Sequence, residues 1–211
     1  MDILIVAATE MEIKPLLART GGLGFDHLIT GVGMTATTYA LTRRLQHNHY
    51  DFVLQAGVGG SYGQNFGLGD VVFVNSDQFG DLGAEDHEDY LDIFEMGLLA
   101  GDTPPFSDRA LLAPLVTMHE KIDLPRVKGL TVNTVSGNAR TIQRRIEKYG
   151  CIIESMEGAA FHYVCLHENV PFAQVRAISN FVIPRDRSQW KMKEAIINLN
   201  DWLIAFLQST A

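Results

Sequence analysis

Four short runs of the chain gather acids, amides and glycines in a way that suits chemistry on a sugar. They are Thr9-Glu10-Met11-Glu12, Ala56-Gly57-Val58-Gly59-Gly60, Glu154-Ser155-Met156-Glu157-Gly158 and Ser179-Asn180. Cleavage of a glycosidic bond passes through an oxocarbenium-like sugar. It needs a water poised by a carboxylate, negative charge near the ribose and help for the departing base. Glu12 is the candidate to polarise the water. Glu157 is the candidate to accept hydrogen bonds from ribose hydroxyls and to favour a cationic sugar, and Asn180 to hold a purine edge. The plainer reading is that acids in a first helical turn complement the helix dipole. It covers Glu10, Glu12 and Glu154 taken singly. Glu157, between Met156 and Gly158-Ala159-Ala160, is expected against buried surface, where that reading explains less.

Other motifs are weaker. Gly31-Val32-Gly33-Met34-Thr35-Ala36 matches G-x-G-x-x-A between a strand and a helix, with Asp51 about twenty residues on. In a dinucleotide fold that acid closes a strand, whereas Asp51 opens Asp51-Phe52-Val53-Leu54. The glycine run therefore reads as a tight turn near a ribose or an anion. No phosphate-binding P-loop is present. The seven histidines form no H-E-x-x-H, and His162, in an apolar stretch, reads as a satisfied core residue. Cys151 and Cys165 show no metal-ligand spacing and read as core packing. Neither a metal nor a cofactor is expected.

Positioning these groups requires a scaffold, and apolar runs alternating with amphipathic stretches predict an α/β domain. Strands are predicted over 2–8, 25–30, 51–56, 70–76, 127–134, 151–153 and 172–179. Helices are predicted over 10–19, 34–48, 109–119, 138–149, 156–168 and 188–208. Ligands of open α/β sheets bind beyond the carboxyl ends of the strands, which is where the four runs fall. The stretch 76–107 has no regular period and is expected to be irregular. With 211 residues and 46% hydrophobic content, one domain over 1–211 is the expectation. A net charge of −8 without a basic run argues against nucleic acid and anionic membranes as partners. The first residues, Met-Asp-Ile-Leu-Ile-Val-Ala-Ala, lack the positive charge of a signal peptide and are too short an apolar run to span a bilayer, so a cytoplasmic location is expected.

The separated motifs also occur together in a known order. Ala8-Thr9-Glu10-Met11-Glu12, Thr30-Gly31-Val32-Gly33-Met34, Gln55-Ala56-Gly57-Val58-Gly59-Gly60, Leu68-Gly69-Asp70-Val71-Val72, Glu154 to Ala160 and Val175-Arg176-Ala177-Ile178-Ser179-Asn180 resemble the nucleosidase branch of the nucleoside phosphorylase superfamily. The resemblance runs nearly end to end. It implies a single-domain three-layer α/β/α sandwich around a central mixed, largely parallel sheet. It also implies a water-activating Glu12, a ribose-binding Glu157, a sugar-packing Met156, Arg176 near the water, Gly57 against the substrate and no cofactor. A homodimer or larger homo-oligomer acting on a small purine nucleoside is implied as well.

Two departures from the branch's pattern bear on specificity. Adenine-specific members carry Asp where this chain has Asn180, and a 6-oxopurine presents N7 and O6, two acceptors that an amide nitrogen satisfies and a carboxylate repels. Asn can also pair with adenine N6 and N7 when its amide is turned over. Related phosphorylases carry Arg and Ser where this chain has Gln55 and Gly57, so a phosphate dianion lacks its donors and water is the expected nucleophile. Phe79 to Glu85, Val132-Asn133-Thr134-Val135-Ser136-Gly137 and Ser179 to Arg187 with Trp190 resemble the futalosine hydrolases, which release hypoxanthine in an alternative route to menaquinone. That resemblance adds Thr134, Val135 and Phe181 to the substrate-binding residues. It also makes Arg185 or Arg187 with Trp190 candidates to hold a 5′-carboxyphenyl group. The alternatives are an adenine-type nucleosidase, a phosphate-dependent purine nucleoside phosphorylase and a nucleoside-binding sensor without turnover.

Overall fold

Every residue of Ile3–Ala7 (β1) is buried. Ile3, Ile5 and Ala7 enter one apolar cluster, Leu4 and Val6 another. A strand with no polar face must be covered on both sides. In the computed structural model, which describes residues 1–19, 24–87 and 89–210, two helical layers provide that cover. Glu10–Leu17 (α1) and Met192–Thr210 (α5) pack on one face through Ile13, Leu16, Leu199, Leu203 and Phe206. Met34–His47 (α2) and Gly158–His167 (α4) pack on the other through Leu41, Phe161, Val164 and Cys165. A further helix, Ala139–Tyr149 (α3), is bounded by Asn138, whose side chain accepts from the Thr141 N–H, and by Gly150 at φ 54°. These are the preferred residues for the two ends of a helix.

The sheet is mixed and largely parallel, with five parallel pairings and three antiparallel ones among the described residues. Asp26–Ile29 (β2) lies at its edge beside β1. Phe52–Ser61 (β3) pairs with β1 at its start, then with Ile153–Ser155 (β9) at Gly60 and Ser61. Along its other side it pairs with Phe172–Phe181 (β10). From there the pairing passes to Val71–Asp77 (β4), Arg126–Thr131 (β8) and back to β9, so five strands close a ring. Closure needs β3 to leave β1 and bend, and its glycines fall at that corner. A Cβ at Gly59 would lie 2.9 Å from Ile153 Cγ2, too close for any larger residue.

Several sequence expectations are corrected. The third strand does not stop at residue 56 but runs through the glycines to Ser61, and Ser179-Asn180 lies inside the last strand. Glu154 and Ser155 likewise belong to β9. The helix expected over 109–119 is absent. Leu111–Leu112 (β7) pairs instead with Asp77 and Ser76 of β4, and a 3-10 turn follows at Thr117–Lys121. Asp108 and Arg109 at φ 47° and 64° prevent a helix start, and a short apolar run has no period of its own to choose between helix and strand. Inside 76–107, Gly83–Asp86 (β5) and Asp89–Asp92 (β6) form a hairpin.

Two buried polar groups make the packing testable. Pro15 interrupts α1, and the amide of Asn200 on α5 inserts into its ladder: Leu16 N–H donates to Oδ1 at 2.9 Å and Nδ2 donates to Glu12 O at 2.8 Å. Asn200→Leu orphans both backbone groups and is expected to cost about 2 kcal/mol or more in denaturant unfolding; a loss within experimental error would show that α1 does not depend on it. His162 is wholly buried, with Nδ1 on Leu111 O at 2.9 Å and Nε2 facing the Gln174 amide at poor hydrogen-bond geometry. It is a core residue as expected, but only one ring nitrogen is well satisfied. Burial pushes its pKa down from 6.5 to about 4. The unfolded chain therefore takes up this proton first, and the contribution to stability is present above pH 6.5 and lost as pH falls toward 4. Thermal unfolding between those values should show a smaller pH slope in His162→Gln than in the parent chain. Equal slopes would move the effect elsewhere.

Candidate active site

Glu12 starts from a local motif. Thr9, with extended φ and ψ, precedes α1, and Glu12 stands three residues on, the T-x-x-E arrangement that caps a helix. Its Oε2 accepts from Thr9 N–H at 2.9 Å and Thr9 Oγ1 at 3.0 Å, while Oε1 accepts from Val58 N–H of β3 at 3.1 Å. The helix-end reading and the functional one therefore describe the same buried side chain. Glu157 stands just before α4, with Oε1 accepting the Gly33 N–H at 3.0 Å and Oε2 3.6 Å from Arg176 Nη1. Gly31 and Gly33 hold φ of 87° and 93°, a backbone that favours glycine, so the turn before α2 delivers a backbone donor to this acid. Asp51, the acid of the dinucleotide pattern, instead accepts from Asp2 N–H at 2.7 Å.

Arg176 lies between these acids on β10 and is 1% exposed. Nη2 donates to Gln55 Oε1 at 2.9 Å, and Nη1 also reaches Val58 O at 3.5 Å. A Cβ at Gly57 would lie 2.4 Å from Arg176 Nη1 and 2.9 Å from Glu12 Oε1, so this position must be glycine for the cation and the acid to meet β3. Glu12, Gly57, Glu157 and Arg176 thus form one constellation.

Asn180 lies further along the same floor. Val58 donates to Glu12, Gly59 O lies 3.2 Å from Ser179 Oγ, and Gly60 packs on the Asn180 amide. Asn180 Nδ2 donates to Phe181 O at 3.1 Å, and Oδ1 lies 2.9 Å from Ser179 Oγ. The Phe181 carbonyl fixes the amide orientation, since the reversed amide would set oxygen against oxygen. Asn180 opens into a cleft whose lining includes Val135, Phe181, Arg185 and Trp190. Arg185 and Arg187 both lie 5.6 Å from the centroid of the Trp190 ring, so these three come together as well. Thr134 does not join them: its side chain is exposed, its N–H donates to Asp81 and its carbonyl accepts from Arg145. Met156 is half-buried between Ser155 and Glu157.

Sequence reasoning missed the wall of that cleft. Glu154 is buried in β9 and is not a helix-end acid. Oε1 accepts from Ser136 N–H at 2.8 Å; Oε2 accepts from Ser136 Oγ at 2.6 Å, from Arg145 Nη1 at 3.1 Å and from the Tyr62 hydroxyl. Burial and the Glu154 charge push the Tyr62 hydroxyl far up, so it serves as a donor. The network ties the residue that follows β3 to β9, α3 and the 133–137 loop. Its one sequence signal is an arginine on the inner face of α3. Among the described residues, no group of three His, Cys, Asp or Glu side chains gathers to hold a metal.

A family model described as the phosphorylase superfamily matches residues 5–208. The futalosine hydrolase of Streptomyces coelicolor is 33% identical over 186 residues, 84% of this chain and 76% of that protein. That of Thermus thermophilus is 32% identical over 177 residues, 83% and 77% of the two chains. Among solved structures, futalosine hydrolase of Helicobacter pylori superposes with a TM-score of 0.82 at 16% identity, covering 99% of this chain and 98% of that one. The 5′-methylthioadenosine/S-adenosylhomocysteine nucleosidase of Colwellia psychrerythraea, in complex with adenine, superposes at 0.81 with 18% identity over 99% and 95%. Both structural likenesses speak for the fold, while the sequence matches reach the family: the chain belongs to the phosphorylase superfamily and, within it, to the family of the futalosine hydrolases.

Proposed function

We propose that this protein hydrolyses the N-glycosidic bond of futalosine and releases hypoxanthine. The observation that carries the reading is the meeting of Glu12, Glu157 and Arg176 around Gly57, with Asn180 further along the same glycine floor. Glu12 takes a proton from the attacking water as oxygen bonds to the anomeric carbon. Glu157 accepts from the ribose hydroxyls, and its charge favours the sugar cation. Hypoxanthine leaves with the electron pair of the broken bond, and the second Asn180 Nδ2 hydrogen supports its acceptors. Met156 packs on the sugar and Val135 and Phe181 border the base. Arg185 or Arg187 with Trp190 holds the 5′-carboxylate.

Water rather than phosphate is the nucleophile in this reading. Gln55 is occupied by Arg176, Gly57 offers no side chain, and Glu12 and Glu157 would repel a dianion. Val32 and Met11, exposed large apolar residues beside Gly33 and Glu12, support a homo-oligomer in which a second copy covers this rim. The location proposed is cytoplasmic; no helix among the described residues is long and apolar enough to cross a membrane.

In phosphate-free buffer, chromatography of purines released from futalosine, aminodeoxyfutalosine, inosine and methylthioadenosine should show hypoxanthine from futalosine as the main product. A phosphate requirement would turn the assignment to a phosphorylase, dominant adenine release to an adenine-type enzyme, and tight binding without release to a sensor. Glu12→Gln is expected to lower kcat by about 10²- to 10⁴-fold, the usual contribution of a general base; near-normal turnover would remove Glu12 from the chemistry. Asn180→Asp should move the preference for hypoxanthine over adenine release by roughly 10-fold or more toward adenine, the scale of one discriminating base contact. An unchanged ratio would place base selection elsewhere.

A further inference from the structure

Asp77 ends β4 with 1% exposure and takes no part in the chemistry above. Its Oδ1 accepts from Thr131 Oγ1 at 2.9 Å and from Gln78 N–H at 2.8 Å. Thr131 Oγ1 in turn accepts the Ala159 N–H at 2.7 Å, and Ser155 Oγ accepts the Gly158 N–H at 3.2 Å. Gly158 and Ala159 open α4, and the first donors of a helix have no partner inside it. A capping residue ordinarily satisfies one of them with its own side chain. Glu157 occupies that place but makes no cap bond. Its carboxylate goes to Gly33 and Arg176 instead, because Thr131 and Ser155 take the helix donors from below.

The sequence accommodates this arrangement at one further point. A Cβ at Gly158 would lie 2.2 Å from Asp77 Oδ2 and 2.3 Å from Gln174 Nε2, so only glycine lets the buried acid sit under the helix end. An anion there also lies where the α4 dipole favours negative charge. We propose that Asp77 is a positioning residue: through Thr131 it holds the first turn of α4 and thereby aims the Glu157 carboxylate into the site. The inference rests on reading Glu157 as the ribose-binding acid.

Among the described residues, the charged group facing Asp77 is Arg176 from β10; Gln174 of β10 and Thr131 of β8 are neutral, as are His162 of α4, which reaches Gln174, and the buried Cys151 thiol, which burial and nearby carboxylates including Asp77 hold in its protonated form. Burial pushes the Asp77 carboxyl up to about 7. It gains its charge as pH rises through that value, and an ionised acceptor strengthens the bond from Thr131. Turnover is therefore expected to rise across neutral pH in the parent chain.

The test is futalosine turnover, with inosine and methylthioadenosine as further substrates, in the 211-residue parent chain and in Asp77→Asn, Thr131→Val and Thr131→Ser. Asp77→Asn keeps an acceptor but cannot ionise, so the rise of kcat near pH 7 should vanish. Thr131→Val should lower kcat about 10-fold, the scale of a group misplaced by a fraction of an ångström, and raise KM, since Glu157 both holds the ribose and stabilises the sugar cation; Thr131→Ser should restore both. If these variants melt earlier while kcat and its pH profile stay as in the parent, Asp77 is structural only and the inference is overturned. Should Asp77→Asn not fold, the Thr131 pair decides: equal kcat in Val and Ser overturns it. Absence of purine release from every substrate by the parent chain would remove the reading of Glu157 itself, whereas turnover with inert variants removes the positioning role alone.

Discussion

The Arg176 guanidinium is the constraint around which the rest is arranged. A cation with 1% exposure has lost its hydration and must be compensated by neighbours. Gln55 gives an amide oxygen from β3, Glu157 a carboxylate from the entrance to α4, and Val58 a carbonyl. Two of these groups come from β3 and one from the entrance to α4, so the demand of one charge on β10 fixes the relative placement of β3, β10 and α4. Gly57 is the steric condition of the same arrangement: any side chain there would displace the guanidinium or Glu12.

Ring closure turns that local demand into a shaped site. β3 and β10 run side by side from Val53 to Ser61, and the candidate site residues of both follow one another along this seam. A bulge between Ile178 and Asn180 shifts the register just before the amide. Such irregularities re-aim side chains at the rims of barrels. Glu154, ion-paired with Arg145, fastens the opposite wall; in a buried pair of this kind, removing one partner costs about 3–5 kcal/mol because it strands the other charge.

Much of this was legible from residue order. The run β1, α1, the long helix at 192–210 and the alternation of strands with helices follow from apolar periodicity, and Glu12, Glu157, Arg176 and Asn180 stand in recognisable motifs. What escaped depends on partners far away in the chain. Gly57 to Gly60 read as a loop because glycine weakens isolated strands, yet β10 and β9 hold that backbone extended. Leu111–Leu112 became a strand because β4 offered an unpaired edge, a fact absent from its own sequence. Glu154 looked like an ordinary acid before a helix; its donors Tyr62, Ser136 and Arg145 are scattered over three other segments. Asn200 gave no sign of entering α1, since nothing in a helical stripe marks an amide that repairs a proline gap elsewhere.

One carboxylate caps α1 and anchors Val58 at the same time. In the proposed reaction, rigidity and reactivity are therefore not separable at position 12. With Glu12 as the base of the proposed reaction, selection for a stiffer helix start and selection for a better base act on the same two oxygens, so thermostabilising redesign has little freedom here and must look to remote surfaces instead.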